Sequence, residues 1–195
     1  MPIHTVYLGA QYFDVGTPRE VVEAAAAFFT AAFPDAERLA TLLDLDVELA
    51  DAVHQRVRAR CESGSIGALI DDLRIDFEDG YGEHTDAEED ADAVRCATAA
   101  LDARDAGELP IGFGLRVRSM ADATARRSLS TLERFVGTIA ERLGDWPEGF
   151  VVTLAKIDHP DEVTRLADAL DQCESRFRLP YGAIRAELMA ETPRS

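Results

Sequence analysis

The sequence has little positive charge and no long apolar run. Its 195 residues carry 20 Lys and Arg against 37 Asp and Glu, a formal net charge of −17. This charge repels the phosphates of nucleic acids and of anionic membranes. No stretch has the length and hydrophobicity of a transmembrane helix, and Met1 to Ile3 run directly into a strand-like segment without a basic and apolar leader. We therefore expect a cytoplasmic protein without a leader peptide that binds neither nucleic acid nor membrane.

Cysteine and lysine are scarce as well. Cys61, Cys96 and Cys173 are odd in number, widely spaced, and each within a predicted helix. This pattern favours reduced thiols over a disulfide framework or a zinc site. Lys156 is the only lysine among the 20 basic residues, and we draw no function from that bias itself.

Apolar residues, by contrast, are plentiful at 47% of the chain, enough for one domain over residues 1–195. Strand and helix signals alternate along it. The five predicted strands are His4–Leu8, a strand beginning at Leu73, Ile111–Ser119, Phe150–Ile157 and Ala183–Ala190. The predicted helices are Thr17 (as N-cap) to about Phe33, about Asp35–Cys61 with a break near Asp44–Asp46, Thr85 to about Arg104, Asp122–Leu143, and one starting at Pro160. A turn is predicted at Gly64–Gly67.

Strands separated by helices indicate an α/β architecture, because a crossover helix joins neighbouring parallel strands. From the second strand onward the spacing is regular, as in a (β/α)₈ barrel. The sequence therefore predicts an incomplete (β/α)₈ TIM barrel with about five parallel strands and crossover helices.

The stretch Leu73–Gly82 combines a short strand with an acidic end. Its apolar residues alternate with Asp76 and Glu78, so these two carboxylates share one face of the strand. They lie either on the solvated face of an edge strand or inside a polar cavity. Asp79 follows at the end of the strand, and the glycines beyond it allow a flexible loop.

Other polar residues also lie at strand ends, namely Arg116 and Arg118 on the third strand, Lys156 on the fourth, and Glu191 after the fifth. The carboxyl ends of parallel strands meet at one edge of a sheet, where barrel enzymes carry their active sites. We expect these side chains to converge with Glu78 and Asp79 at one mouth.

Four segments together resemble strand-end motifs of the HpcH/HpaI aldolase and citrate lyase β-subunit family. They are Ile75–Gly80, Leu115–Arg118, Thr153–Lys156 and Ala190–Thr192. The resemblance covers residues 73 to the C-terminus, and more weakly the first strand. It implies a phosphoenolpyruvate/pyruvate-type barrel that makes or breaks a C–C bond beside a carbonyl, with Mg²⁺ (or Mn²⁺) holding an enolate. The implied small-molecule substrate is a 2-oxo acid or an acyl-CoA thioester.

The same resemblance implies roles for individual residues. Arg116 matches the arginine that contacts substrate oxygens, and Glu191 matches the first carboxylate ligand of the metal. The acidic signature that surrounds the metal's water shell matches Asp76, Glu78 and Asp79, and Lys156 matches the lysine of a Pro-Lys pair. The implied site therefore has catalytic Arg116, Asp79 and Lys156, substrate-binding Arg116 and Glu78, and the metal ligand Glu191.

The chain also departs from the family pattern. Ala155 stands in place of the proline, and Arg118 in place of an asparagine. The second metal carboxylate of the family lies beyond Glu191 on the next strand and is absent from this chain. These departures imply the N-terminal part of a barrel domain whose inner residues, such as Val152, Leu154 and Leu188, lack an opposing layer. We expect a homo-oligomer, a loosely packed monomer, or a partner in the form of a complementing C-terminal fragment.

Several alternatives remain open. One alternative for Arg116 is an interior ion pair with Asp76 or Glu78. The alternative for Arg118 is a structural role. A second enzyme alternative is that Lys156 forms a Schiff base. A further alternative is that the incomplete barrel has no turnover of its own and is a split-gene half or a relic. His84 is either an acid/base group or a solvated loop histidine.

Overall fold

The fold was described from a computed structural model over residues 4–193. Residues 1–3, on which the expectation of no leader peptide depends, lie outside the described residues. The strands are β1 (Thr5–Gly9), β2 (Asp72–Asp76), β3 (Gly112–Val117), β4 (Phe150–Leu154) and β5 (Arg185–Leu188). The helices are α1 (Thr17–Ala32), α2 (Ala36–Leu43), α3 (Val47–Glu62), α4 (Ile66–Leu69), α5 (Asp86–Asp105), α6 (Ala125–Arg142) and α7 (Pro160–Phe177). A 3₁₀ turn spans Ala10–Tyr12.

The strands form one parallel sheet in the order β1-β2-β3-β4-β5. Each strand thus lies beside its sequence neighbours, and the order never reverses as it does in a doubly wound fold. The predicted α/β architecture is confirmed, and the arrangement is consistent with part of an α/β barrel.

Local sequence signals explain most helix boundaries. Thr85 and Glu88 form the predicted capping box at the start of α5. The predicted break between α2 and α3 is confirmed, because Asp44 adopts φ 51° and the Asp46 side chain caps α3. Two predictions need correction: Gly16 rather than Thr17 is the N-cap of α1, and the predicted turn at Gly64–Gly67 contains the start of α4.

One face of the sheet is apolar and packs against the helices. Leu73 and Ile75 of β2 and Val152 and Leu154 of β4 are fully buried in a single core that also includes helix residues such as Leu132. The prediction that Val152 and Leu154 line the inner face is therefore wrong. Both point toward the helices, because Thr153 between them lies on the opposite face. Leu188 of β5, also predicted on the inner face, pairs with Leu154 and shares its face, so that prediction is wrong as well.

The other face of the sheet is polar. Asp72, Arg74 and Asp76 of β2 lie there at 1–2% exposure, together with buried Arg116 of β3 and Thr153 of β4. The interpretation of β2 as an edge strand with a solvated outer face is therefore wrong. Its charges face a polar hollow, the second of the two interpretations that the sequence left open.

The cysteines are placed as the sequence predicts. Cys61 on α3, Cys96 on α5 and Cys173 on α7 are free thiols, as predicted. Among the helices of residues 4–193, none is both long enough and apolar enough to cross a membrane.

Candidate active site at the carboxyl edge of the sheet

Six polar residues lie at or just after the carboxyl ends of β2 to β5. We call them the carboxyl-edge cluster: Asp76, Glu78, Asp79, Arg116, Lys156 and Glu191. The strands that carry them are parallel and adjacent, so their ends bring together side chains that are up to 115 positions apart in the sequence (191 − 76). Contacts between these residues define the geometry of the site.

Asp76 holds the guanidinium of Arg116 through two hydrogen bonds. Arg116 donates from Nε to Oδ1 at 2.7 Å and from Nη2 to Oδ2 at 2.5 Å, and Asp76 also accepts from the backbone N–H groups of Glu78 and Gly80. The hydrogen bonds that Arg116 donates to Asp76 raise the pKa of Arg116, although desolvation acts to lower it. The interior ion pair that the sequence left open as an alternative is therefore present. It orients the guanidinium as well as neutralising it.

Among residues 4–193, the Nη1 atom of the Arg116 guanidinium faces only a weak acceptor. Its Nη1 lies 4.0 Å from the sulfur of Met189, and a thioether is only a weak acceptor. The side chain is 10% exposed, so it is close to the surface of the mouth. Nη1 is therefore the donor of Arg116 that takes no part in the two bonds to Asp76.

Lys156 crosses from the end of β4 to the acidic loop after β2. Its Nζ lies 2.7 Å from Oε1 of Glu78 and also contacts Asp79. The hydrogen bond with Asp79, followed by that with Glu78, raises the pKa of Lys156, and the bond from Lys156 lowers the pKa of Asp79. The lysine is therefore an ammonium and Asp79 a carboxylate around neutral pH.

The backbone of Lys156 ties this contact to Glu191. Lys156 has φ 51°, in the left-handed region that costs a non-glycine residue about 1–2 kcal/mol. In this conformation its N–H donates to Oε1 of Glu191 at 2.7 Å. Backbone strain at a residue whose two ends contact separate loops is typical of functional sites.

Arg118 and His84 lie outside the cluster. Arg118 donates to the carbonyl of Gly82 at 3.0 Å and lies 3.4 Å from Glu89 on α5, so the expectation that it converges on the mouth is wrong. It lies one residue beyond the end of β3, where strand pairing no longer sets the direction of the side chain, and it reaches Gly82 and α5 instead. The ring of His84 stacks on Tyr81 with centroids 4.1 Å apart, and the histidine has a structural contact there.

A second polar layer lies beneath the cluster and was missed in the sequence. Arg74 donates from Nε to Thr153 at 2.9 Å and pairs with Asp72, and Thr153 donates to Glu187 at 2.6 Å. The alternation of β2 was an available signal, because it puts Arg74 on the same face as Asp76. This layer forms a hydrogen-bonded floor under the mouth.

Tyr7 of β1 completes the site from the other side. Its ring centroid lies 4.8 Å from Cζ of Arg116, a cation–π distance. Burial, and then the nearby charge of Glu187, raise the pKa of Tyr7. The only signal for Tyr7 in the sequence is its position on the inward-facing side of β1.

The donor chemistry of the cluster suits a hard cation. Within residues 4–193, no group of three or more His, Cys, Asp or Glu side chains is arranged to hold a metal. Magnesium, however, commonly uses one or two protein carboxylates and completes its shell with water and substrate. Glu191 accepts one hydrogen bond through Oε1, and a carboxylate has acceptor capacity beyond one bond. A cation held by Glu191 stays a prediction.

Comparison with known proteins gives a family but no activity. A family model described as Domain of unknown function (DUF6986) matches residues 1–195, so the chain belongs to this family. No curated protein and no solved structure matches the chain. The resemblance to the HpcH/HpaI family is not tested by these comparisons and stays a prediction.

Proposed function

We propose that this member of the DUF6986 family is a carbon–carbon lyase or aldolase of the citrate-lyase type. Its substrate is a 2-oxo acid or an acyl-CoA thioester, and the reaction passes through an enolate that a divalent cation stabilises. The observation that supports the proposal is the Nη1 donor of Arg116, which within the described residues faces only the weak thioether acceptor of Met189, beside the carboxylates of the carboxyl-edge cluster. Such a site pairs a fixed cation for substrate oxygens with hard ligands for a metal.

Arg116 binds the substrate in this proposal. Negative charge develops on the carbonyl oxygen when a C–C bond beside it is made or broken, and a preorganised cation in a partly dry site stabilises that charge. Asp76 and Tyr7 hold the guanidinium from its edge and its face. Arg116 therefore needs no reorganisation when the substrate arrives.

Lys156 and the acidic loop after β2 supply charged groups to the site. The raised pKa of Lys156, which its bond to Asp79 causes, keeps its ammonium as a donor toward substrate oxygens. Glu78, at 9% exposure, holds that ammonium from the buried side and so orients it. Asp79 is the more exposed carboxylate of the two and holds the same ammonium from the side of the solvent.

Mg²⁺ or Mn²⁺ is the proposed cofactor. Glu191 would hold it, with Glu78 and Asp79 as the other carboxylates of the site. When bound, the cation supplies positive charge to the developing enolate oxygen, as divalent metals do in lyases of this chemistry. Lys156 orients Glu191 through the 2.7 Å bond from its backbone N–H.

The proposal is tested by measuring the Mn²⁺ affinity of the Glu191→Gln variant. The substitution keeps the shape and the acceptor for the Lys156 N–H but removes the charge, so we expect Mn²⁺ affinity to fall at least about tenfold, measured by electron paramagnetic resonance. Oxalate, a planar enolate mimic, should bind the wild type more tightly with Mn²⁺ than without. Glu141→Gln on α6 is the matched control and should leave both values unchanged. Equal Mn²⁺ affinity in the two variants removes Glu191 from the metal site.

A Schiff-base mechanism at Lys156 is the alternative enzyme function, and the contacts oppose it. A nucleophilic lysine needs a lowered pKa, whereas the bonds to Asp79 and Glu78 raise the pKa of Lys156. Borohydride reduction in the presence of pyruvate is expected to leave the mass of the protein unchanged. A stable adduct on Lys156 would replace the metal mechanism with this one.

The remaining alternative is a chain without turnover of its own that acts together with a partner. The outer edge of β5 supports it, because Leu188 is 48% exposed there. We propose a second copy or a complementing fragment as this partner. A cytoplasmic location is also proposed, since the three free thiols suit a reducing compartment.

A further inference from the structure

We propose that Tyr7 is a positioning residue that fixes the guanidinium of Arg116 and thereby sets the affinity of the site for a small planar carboxylate. This inference rests on the proposed function and adds to it a residue outside the carboxyl-edge cluster. Tyr7 belongs to β1, and no part of the motif pattern at the strand ends includes it.

The ring of Tyr7 crosses over a whole strand to reach Arg116. Tyr7 is in register with Arg74 of β2, and Arg116 lies on β3. Strands two apart are about 10 Å from each other in a sheet, yet the ring centroid is 4.8 Å from Cζ of Arg116. The curvature of the sheet and the inward direction of both side chains produce this contact.

Asp76 and Tyr7 restrain different motions of the same group. The two bonds from Asp76, at 2.7 and 2.5 Å, fix the guanidinium within its own plane. They resist tilting of that plane less strongly, because hydrogen bonds tolerate some bending. A ring face against the guanidinium blocks that tilt. Nη1 is then held at the edge of the mouth in one orientation.

The electrostatics of the ring suit this role. Burial raises the pKa of Tyr7, so the phenol stays neutral and its face presents the negative part of the ring quadrupole to the cation. The hydroxyl is not needed for the stacking itself. Tyr7→Phe should therefore preserve the function of the residue, and Tyr7→Leu should remove it.

The first measurement follows the contact directly. The Nε–H and Cδ–H resonances of Arg116 should carry a ring-current shift that is retained in Tyr7→Phe and lost in Tyr7→Leu. Tyr181→Leu is the matched control, because Tyr181 is 90% exposed and precedes β5, and it should leave these resonances in place. Tyr7→Met provides a second ring-free variant if Tyr7→Leu folds poorly. Retention of the shift in both ring-free variants overturns the proposal.

The second measurement follows affinity, with oxalate as the probe in the presence of Mn²⁺. We expect Tyr7→Leu to weaken oxalate binding about three- to thirty-fold and Tyr7→Phe to bind like the wild type. An equal loss in Tyr7→Phe would show that the hydroxyl acts instead of the ring, which overturns the proposal. Unchanged affinity in Tyr7→Leu also overturns it.

Failure of the proposed function gives a different result. If the wild type binds no oxalate, the proposed function fails, and the effect of Tyr7 on carboxylate affinity fails with it. If the wild type binds oxalate and Tyr7→Leu binds it equally, only the role of Tyr7 fails. All titrations should be made at one pH near neutral.

Discussion

Arg74 on β2 and Glu187 on β5 lie 3.5 Å apart, although two strands separate them. In a flat sheet three strand intervals span about 14 Å. The side chains meet because the sheet curves around its polar face, as the wall of a barrel does. This curvature places the carboxyl-edge cluster on a floor of buried charge, and it determines how the site responds to substitution.

Asp76→Asn is expected to destabilise the fold. The substitution removes the charge of the carboxylate that holds the buried guanidinium of Arg116 and leaves the more distant Glu78, at 3.8 Å. Removal of one member of a buried pair costs about 3–5 kcal/mol. Urea denaturation measures the loss. Glu62→Gln breaks the exposed pair with Arg58 and should cost less than about 1 kcal/mol. Similar losses in the two variants would contradict a structural role for Asp76.

The ion pair between Lys156 and Asp79 should make a small, pH-dependent contribution to stability. Both side chains are about half exposed, so Lys156→Met should cost less than about 1 kcal/mol at neutral pH. The pKa of Asp79 is lowered by the bond from Lys156, so its contribution is present above the unfolded pKa and is lost as pH falls through the folded one. The pKa of Lys156 is raised by its bond to Asp79, so its contribution is lost as pH rises through the folded value.

The stability difference between wild type and Lys156→Met should consequently form a plateau between about pH 5 and pH 9 and shrink on either side. Thermal unfolding across this range measures it. A difference that is constant from pH 2 to pH 11 would show that the ion pair contributes nothing to stability.

Gly114→Ala is expected to disrupt the sheet beneath the site. A Cβ atom at Gly114 would lie 1.7 Å from the backbone carbonyl oxygen of Val151, so β3 and β4 would have to separate. Overpacking of this kind costs about 3 kcal/mol or more. Gly67→Ala is the matched control, because no atom lies within 4 Å of its Cβ position, and the substitution in α4 should stabilise slightly. Equal stability of the two variants would contradict the close approach of these strands.

Thiol labelling should distinguish the three cysteines. Burial raises the pKa of Cys96 to about 12 and that of Cys173 to about 11, and the thiolate is the reactive form. At pH 8 we expect Cys61 alone to react rapidly with Ellman's reagent, and all three thiols to react in denaturant. Cys61→Ser should abolish the rapid phase. Rapid release of more than one equivalent from the native protein would contradict the packing around α5 and α7.

The outer edge of β5 is expected to mediate association. A groove of about 290 Å³ lies there, lined by residues that include Leu166, Leu170, Ala186 and Leu188, and exposed apolar surface of this kind favours contact with a partner. Light scattering after size-exclusion chromatography should show an oligomer, or ANS fluorescence should rise on a monomer. Leu188→Glu should reduce either signal, whereas Ile111→Glu, at an exposed site elsewhere, should not. A compact monomer without ANS binding would contradict the prediction.

Local patterns in the sequence were sufficient to predict the elements of the fold. Alternating strand and helix signals predicted the parallel α/β sheet, and the capping box at Thr85 predicted the start of α5 within a residue. The carboxylates after β2 and the lysine after β4 were placed at strand ends for the same reason. Each of these inferences depends on residues close together in the chain, where periodicity and capping chemistry determine the outcome.

The allocation of faces and the long-range contacts were decided by tertiary structure. The run Phe150–Leu154 is apolar on both sides except at Thr153, so periodicity alone does not show which residues face inward. The contact of Tyr7 with Arg116, and that of Arg74 with Glu187, depend on the register of parallel strands and on the curvature of the sheet. These are properties of the packed sheet as a whole. A local pattern carries no information about them, because a curved and a flat sheet can be built from the same strands.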